Sequence, residues 1–97
     1  MFDLPTGTRQ ERKSAAGFRK ELKKMGFDML QFSVYSRITK NNDDAKKYIN
    51  KVKMLLPSVG SVRLLQITEK QYSAMQILLG EKTPTENLLD DKDLLVL

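Results

Sequence analysis

Neither cysteine nor histidine occurs among the 97 residues. The first absence removes disulfide scaffolds, cysteine-ligated zinc and thiol nucleophiles; the second removes every catalytic triad that needs an imidazole. Any chemistry therefore falls to carboxylates, lysine, tyrosine or hydroxyl groups. Long apolar runs are missing too: the longest is the four residues 94–97, against the roughly 20 that cross a bilayer, and no basic-then-apolar leader opens the chain. The expected location is cytoplasmic. What is present, 40% hydrophobic and 30% charged residues, is the balance of one globular domain.

Seventeen Lys and Arg stand against twelve Asp and Glu, a net charge of +5 and a pI near 9.6. The charge is unevenly placed. Residues 1–80 hold fifteen cations and seven anions, whereas residues 81–97 hold Lys82 and Lys92 against Glu81, Glu86, Asp90, Asp91 and Asp93. A basic body with an acidic tail favours a polyanion for the body and a protein partner for the tail.

Met1 to Leu4 is apolar apart from Asp3 and halts at Pro5, which suits the end of a strand. Thr8 followed three residues later by Glu11 is capping-box spacing, and Ala15, Phe18, Leu22 and Met25 then recur at helical spacing until Gly26. Arg9, Arg12, Lys13, Arg19, Lys20, Lys23 and Lys24 fall on the opposite side of that helix. Over residues 29–39 the period becomes two, with Leu30, Phe32, Val34 and Ile38 on one face and Gln31, Ser33, Tyr35 and Arg37 on the other. A break within Ser33 to Ser36 divides this strand. Asn42, Asp43 and Asp44 are expected to open a second helix with the stripe Ala45, Ile49, Val52 and Leu56, stopped by Pro57. Residues 61–68 and 75–79 read as strands flanking a single helical turn at 69–73, then residues 80–87 as a loop and 93–97 as a last short strand.

This order predicts an α+β fold of the ferredoxin-like split βαβ type, an antiparallel sheet with two helices on one face. Residues 1–80 form that domain and residues 81–97 an acidic extension ending in a docking strand. Met29 and Tyr35 are expected on the uncovered face, where an apolar patch calls for a homodimer packed sheet to sheet.

The segments Phe2-Asp3-Leu4-Pro5-Thr6, Glu11-Arg12-Lys13, Phe18-Arg19-Lys20 and Gln31-Phe32-Ser33-Val34-Tyr35-Ser36-Arg37 follow one another in a specific order. With Leu56-Pro57, Gly60-Ser61-Val62-Arg63 and Ile67-Thr68-Glu69-Lys70-Gln71-Tyr72, the chain resembles the small CRISPR-associated adaptation proteins of the Cas-two family, over residues 1 to about 80 and most closely the type II branch. The resemblance implies a ferredoxin-like homodimer that binds duplex DNA and joins the Cas-one integrase to acquire spacers. It also implies, as an alternative, a magnesium-dependent endonuclease acting on RNA or DNA through an aspartate of strand one, here Asp3 behind the aromatic Phe2. Arg12 and Tyr35 match positions linked to nucleic-acid handling. Two departures stand out: only Met1 precedes the Phe2-Asp3 pair, where the family has several apolar residues, and Met29 stands where some nuclease-active relatives carry arginine.

Each candidate has a plainer reading. Asp3 is the candidate catalytic and metal-binding residue, because magnesium selects oxygen ligands, yet it equally suits a turn before Pro5. The cations Arg9, Arg12, Lys13, Arg19 and Lys20 suit a phosphate backbone read without sequence preference, although a solvated helix face also explains them. Phe18, Phe27, Phe32 and Tyr48 read as core or interface rather than stacking platforms. Lys82 is a further candidate DNA contact in a turn. Leu94, Leu95, Val96 and Leu97 are expected to add as an edge strand to a partner, the dimer mate or the integrase, although chain ends are often inert. A ferredoxin-like regulator unrelated to CRISPR is the third class.

Overall fold

Thr8 is extended, and its hydroxyl accepts the Glu11 amide at 3.1 Å while the Glu11 carboxylate accepts the Thr8 amide at 2.9 Å. This reciprocal pair satisfies two amides that a helix start would otherwise leave open, and it launches α1 (Arg9–Lys24). The computed structural model describes residues 1–80 and 93–97. Ala15, Phe18 and Leu22 line the buried side of α1, and Gly26 ends the turn with φ 84°. β2 (Asp28–Gln31) and β3 (Val34–Thr39) form a hairpin whose register shifts between Met29 and Gln31 and whose turn holds Ser33 at φ 64°.

The alternation in β3 is as expected, but the side that meets the helices is the other one. Tyr35 is 1% exposed, stacked on Phe2 with ring centroids 5.6 Å apart, and Phe2 meets Phe18 edge-on at 5.2 Å. Phe32, expected in line with Leu30 and Val34, stands out at the hairpin turn and is 75% exposed. Both rows of β3 carry apolar residues, so alternation alone does not choose the inner one. The aromatic contacts across Phe2 and Phe18 do.

α2 (Asn42–Lys53) starts one residue earlier than expected, capped by Asn41 whose side chain accepts the Asp44 amide at 2.8 Å, and it ends before Pro57, leaving Leu56 exposed. The run 61–68 divides into β4 (Ser61–Val62) and β5 (Leu65–Thr68), and a second capping box, Thr68 with Gln71, opens the single turn α3 (Glu69–Ser73). Residues 75–79 form no strand, and Leu78 and Leu79 are almost fully exposed. β5 pairs with β6 (Asp93–Val96) and forms the edge of the four-stranded sheet.

That placement is the main correction. Leu94, Leu95, Val96 and Leu97 were expected to dock on a partner, yet β6 lies inside the sheet of its own chain, antiparallel to β3 on one side and β5 on the other, in the order β2-β3-β6-β5. The two-residue β1 (Phe2–Asp3) pairs with β4, and Arg63 and Met1 exchange backbone hydrogen bonds of 2.8 and 3.0 Å. On the other side the Phe2 amide donates to the Ser33 carbonyl at 3.0 Å, and Tyr35 and Leu97 exchange both backbone bonds. Both edges give one register. Val62 faces Phe2, Arg63 faces Met1 and Leu65 faces Val96, so Leu97 and Met1 are successive positions of a single composite strand.

The reason lies in burial. Leu94, Leu95 and Leu97 are each at most 1% exposed, and burying a leucine stabilises by about 1.5–3 kcal/mol. On an edge these side chains would keep one flank in water. Leu95 and Leu97 join Phe2, Leu4, Ala15, Phe18, Leu22, Phe27, Tyr35, Ala45 and Val52 in the core between sheet and helices. The chain is thus an α+β protein with its two longer helices on one face of an antiparallel sheet. Among the described residues no helix is long and apolar enough to cross a membrane. Residues 81–92, which include Lys82, lie outside the described residues.

A strand at the centre of the sheet makes a sharp demand on stability. Leu95→Ala is expected to cost about 2–5 kcal/mol, whereas Leu79→Ala stays within about 0.5 kcal/mol, both read by urea unfolding. Equal, small effects would remove β6 from the core.

Candidate nucleic-acid interface

The outward side of α1 carries seven cations and only Glu11 and Glu21 as anions. Glu11 is held in the capping box and Glu21 pairs with Lys24 at 3.6 Å, so the face is one-signed. The structure sorts the cations into two groups. Arg9, Lys13, Lys20, Lys23 and Lys24 are exposed, Lys24 beside Glu21, and Arg9 and Lys13 line a shallow depression with Gln10 and Ser14.

Arg12 and Arg19 are engaged within the chain. Arg12 folds back so that Nη1 donates to the Thr6 carbonyl at 3.2 Å and reaches the Gly7 carbonyl at 3.5 Å, bracing the turn between β1 and α1. Arg19 lies between two rings, its guanidinium carbon 5.7 Å from the Phe2 centroid and 4.8 Å from that of Phe32, with Nε buried and unpartnered. Phe32, the most exposed aromatic side chain of the hairpin turn, is thereby fixed to the end of the basic face.

Asp3 is exposed at the end of β1, paired in register with Ser61. Gly60 packs beneath it at φ 105°, where an added Cβ would lie 2.9 Å from the Asp3 carbonyl oxygen and 2.8 Å from Leu4 Cδ2. Only glycine lets the β4 turn approach β1 this closely. Among the described residues no three His, Cys, Asp or Glu side chains gather as a metal site. Asp3 offers one carboxylate here, and magnesium, which keeps several of its waters, is commonly held by one or two carboxylates together with substrate phosphates. Phe2 and Tyr35, both buried, support the sheet beneath this region rather than offering accessible contacts.

A second basic cluster went unread in the sequence. Arg37, on the helix side of β3, reaches Tyr48 of α2, and Lys47 and Lys51 flank the same ring. The helical spacing of 47, 48 and 51 was visible; the arrival of Arg37 beside them required the sheet.

The family described as CRISPR associated protein Cas2 matches residues 1–75. The chain belongs to the Cas2 family. It is 54% identical over 80 residues to a protein of Campylobacter jejuni subsp. jejuni named CRISPR-associated endoribonuclease Cas2, covering 82% of this chain and 56% of that relative. It spans little more than half the length of that protein. Relatives of the same name from Acidovorax ebreus and Treponema denticola are 46% and 42% identical, over 80 and 97 residues, covering 82% and 100% of this chain and 78% and 95% of theirs. Membership in Cas2 assigns the chain a general role in CRISPR adaptation and antiviral defence.

Proposed function

We propose that the chain acts as the DNA-holding subunit of the adaptation machinery, a homodimer that binds duplex DNA through the phosphate backbone and joins the Cas-one integrase to insert new spacers. The observation that carries this reading is the one-signed outer face of α1, on which Arg9, Lys13, Lys20 and Lys23 are exposed and have no ion-pair partner among the described residues. Each cation that neutralises a phosphate releases condensed counterions, so binding is strong, indifferent to sequence and steeply salt-dependent. Among the described residues no base-reading arrangement accompanies it. Replacing Arg9, Lys13 and Lys20 together by Gln is expected to weaken duplex binding and to lower the slope of log affinity against log salt by about 0.9 for each lost contact. Fluorescence anisotropy across a salt series measures both, and an unchanged slope refutes the assignment.

The second copy is argued from the sheet side that the two long helices leave uncovered. Leu30, Val34, Leu65, Ile67 and Val96 line a hollow there with Tyr72, Met75 and Ile77, and Leu65, Met75 and Ile77 remain 53, 46 and 37% exposed. Contiguous apolar surface of this kind marks an interface. Sedimentation at micromolar concentration is expected to give a dimer, and Leu65→Asp a monomer that remains folded. A wild-type monomer would exclude the arrangement.

A second reading, a metal-dependent endonuclease, is favoured by the name its relatives carry and by the exposure of Asp3. Two copies would supply two Asp3 carboxylates if these meet at the two-fold axis, whereas a single chain offers one there, and the chain has no histidine to act as base. The scaffold role does not require Asp3 chemistry. Asp3→Asn is expected to leave dimer, DNA binding and spacer acquisition in place. Loss of acquisition by a folded, DNA-binding Asp3→Asn protein would favour catalysis instead.

A further inference from the structure

Arg37 lies where the end of α1 meets α2. Its Nη2 donates to the Tyr48 hydroxyl at 2.6 Å, its Nη1 to the Gly26 carbonyl at 3.4 Å, and its guanidinium carbon is 3.9 Å from the Tyr48 ring centroid. Both acceptors are uncharged, and Nε is buried without a partner. A Cβ at Gly26 would collide with Nη1, so glycine opens this path for the guanidinium as well as supplying the positive φ. The ammonium groups of Lys47 and Lys51 stand 5.1 and 5.2 Å from the same centroid.

Three cations thus surround one ring. Like charges four residues apart on a helix repel, and the negative face of a single tyrosine offsets only part of that repulsion. Two carboxylates on the neighbouring elements have partners elsewhere. Asp44 accepts the Lys40 amide at 3.0 Å at the start of α2, and Glu21 pairs with Lys24. Asp28 pairs in register with Ser36 and so lies on the opposite side of the sheet from Arg37. The cluster has the composition of an anion site: a braced guanidinium, a fixed aromatic surface and two exposed ammonium groups.

We infer that Arg37, Tyr48, Lys47 and Lys51 bind a phosphodiester group of the nucleic-acid backbone, as a contact separate from the outer face of α1. Lys47 and Lys51 touch the phosphate, while Arg37 adds fixed positive charge and holds Tyr48 in place. A backbone suits the site better than a small free anion. The cluster is open, and α1 carries Lys23 and Lys24 directly into Gly26, whose carbonyl Arg37 holds, so the two basic faces adjoin. The inference rests on the DNA-binding reading above and extends it to α2.

The test uses the full chain with Lys47 and Lys51 both changed to Gln, titrated with a random-sequence 30-base-pair duplex over a salt series. Both side chains are exposed, so the urea midpoint is expected to stay unchanged. Binding weakens, and the slope of log affinity against log salt falls by about one for each lysine. Unchanged affinity and slope overturn the α2 site. The Arg9, Lys13 and Lys20 variant in the same assay separates the two readings: a loss there with no loss from the α2 pair overturns this inference alone, and indifference to both sets overturns DNA binding as well.

Discussion

Everything in this fold hangs on the central line of the sheet, where β6 and β1 lie end to end. Its first part is β6, its last part is β1, and the register runs from Leu97 to Met1 without a gap. A strand at the middle of a sheet must satisfy backbone groups on both edges and bury side chains on both faces. Residues 93–97 fill the positions ahead of Phe2 and Asp3, and by doing so hold β3 and β5 at the spacing on which α1 and α2 pack.

The composite strand also fixes where the chemistry-bearing groups stand. Phe2 is seated against Tyr35 and Phe18, which places Asp3 at the exposed end of β1 and gives Arg19 one of the two rings between which it lies. Arg12 braces the turn that follows. Two of the cations of α1 therefore serve the architecture, and those left for a ligand are mostly lysines together with Arg9. Lysine is a flexible point charge and arginine a rigid fork, so the exposed set suits phosphates read for charge alone rather than base edges read for pattern.

The two sides of the sheet divide the work. The helical side carries positive charge on α1 and, through Arg37 and its lysine neighbours, on α2. The other side is apolar and only partly covered by α3 and the residues that follow it. Such a division lets one surface meet a polyanion while the opposite one meets a second protein surface, with no competition between them.

The sequence by itself determined the local elements: the Thr8 and Glu11 capping box, the stripe Ala15, Phe18 and Leu22, the break near Ser33, the turn at 69–73 and the one-signed face of α1. Each depends on neighbours within a few residues, so spacing and residue type suffice. The ordered motifs likewise carried the Cas2 family. Only the tertiary structure decided which row of β3 faces the helices, because both rows are apolar enough to be buried. It alone placed Leu94 to Leu97 at the centre of the sheet rather than on a partner, since burial on both flanks depends on strands far away in sequence. It brought Arg37 to Tyr48, turned Arg12 onto the Thr6 carbonyl and set Arg19 between two rings for the same reason: where a charged head ends up depends on backbone carbonyls and rings that only the folded chain puts within its reach.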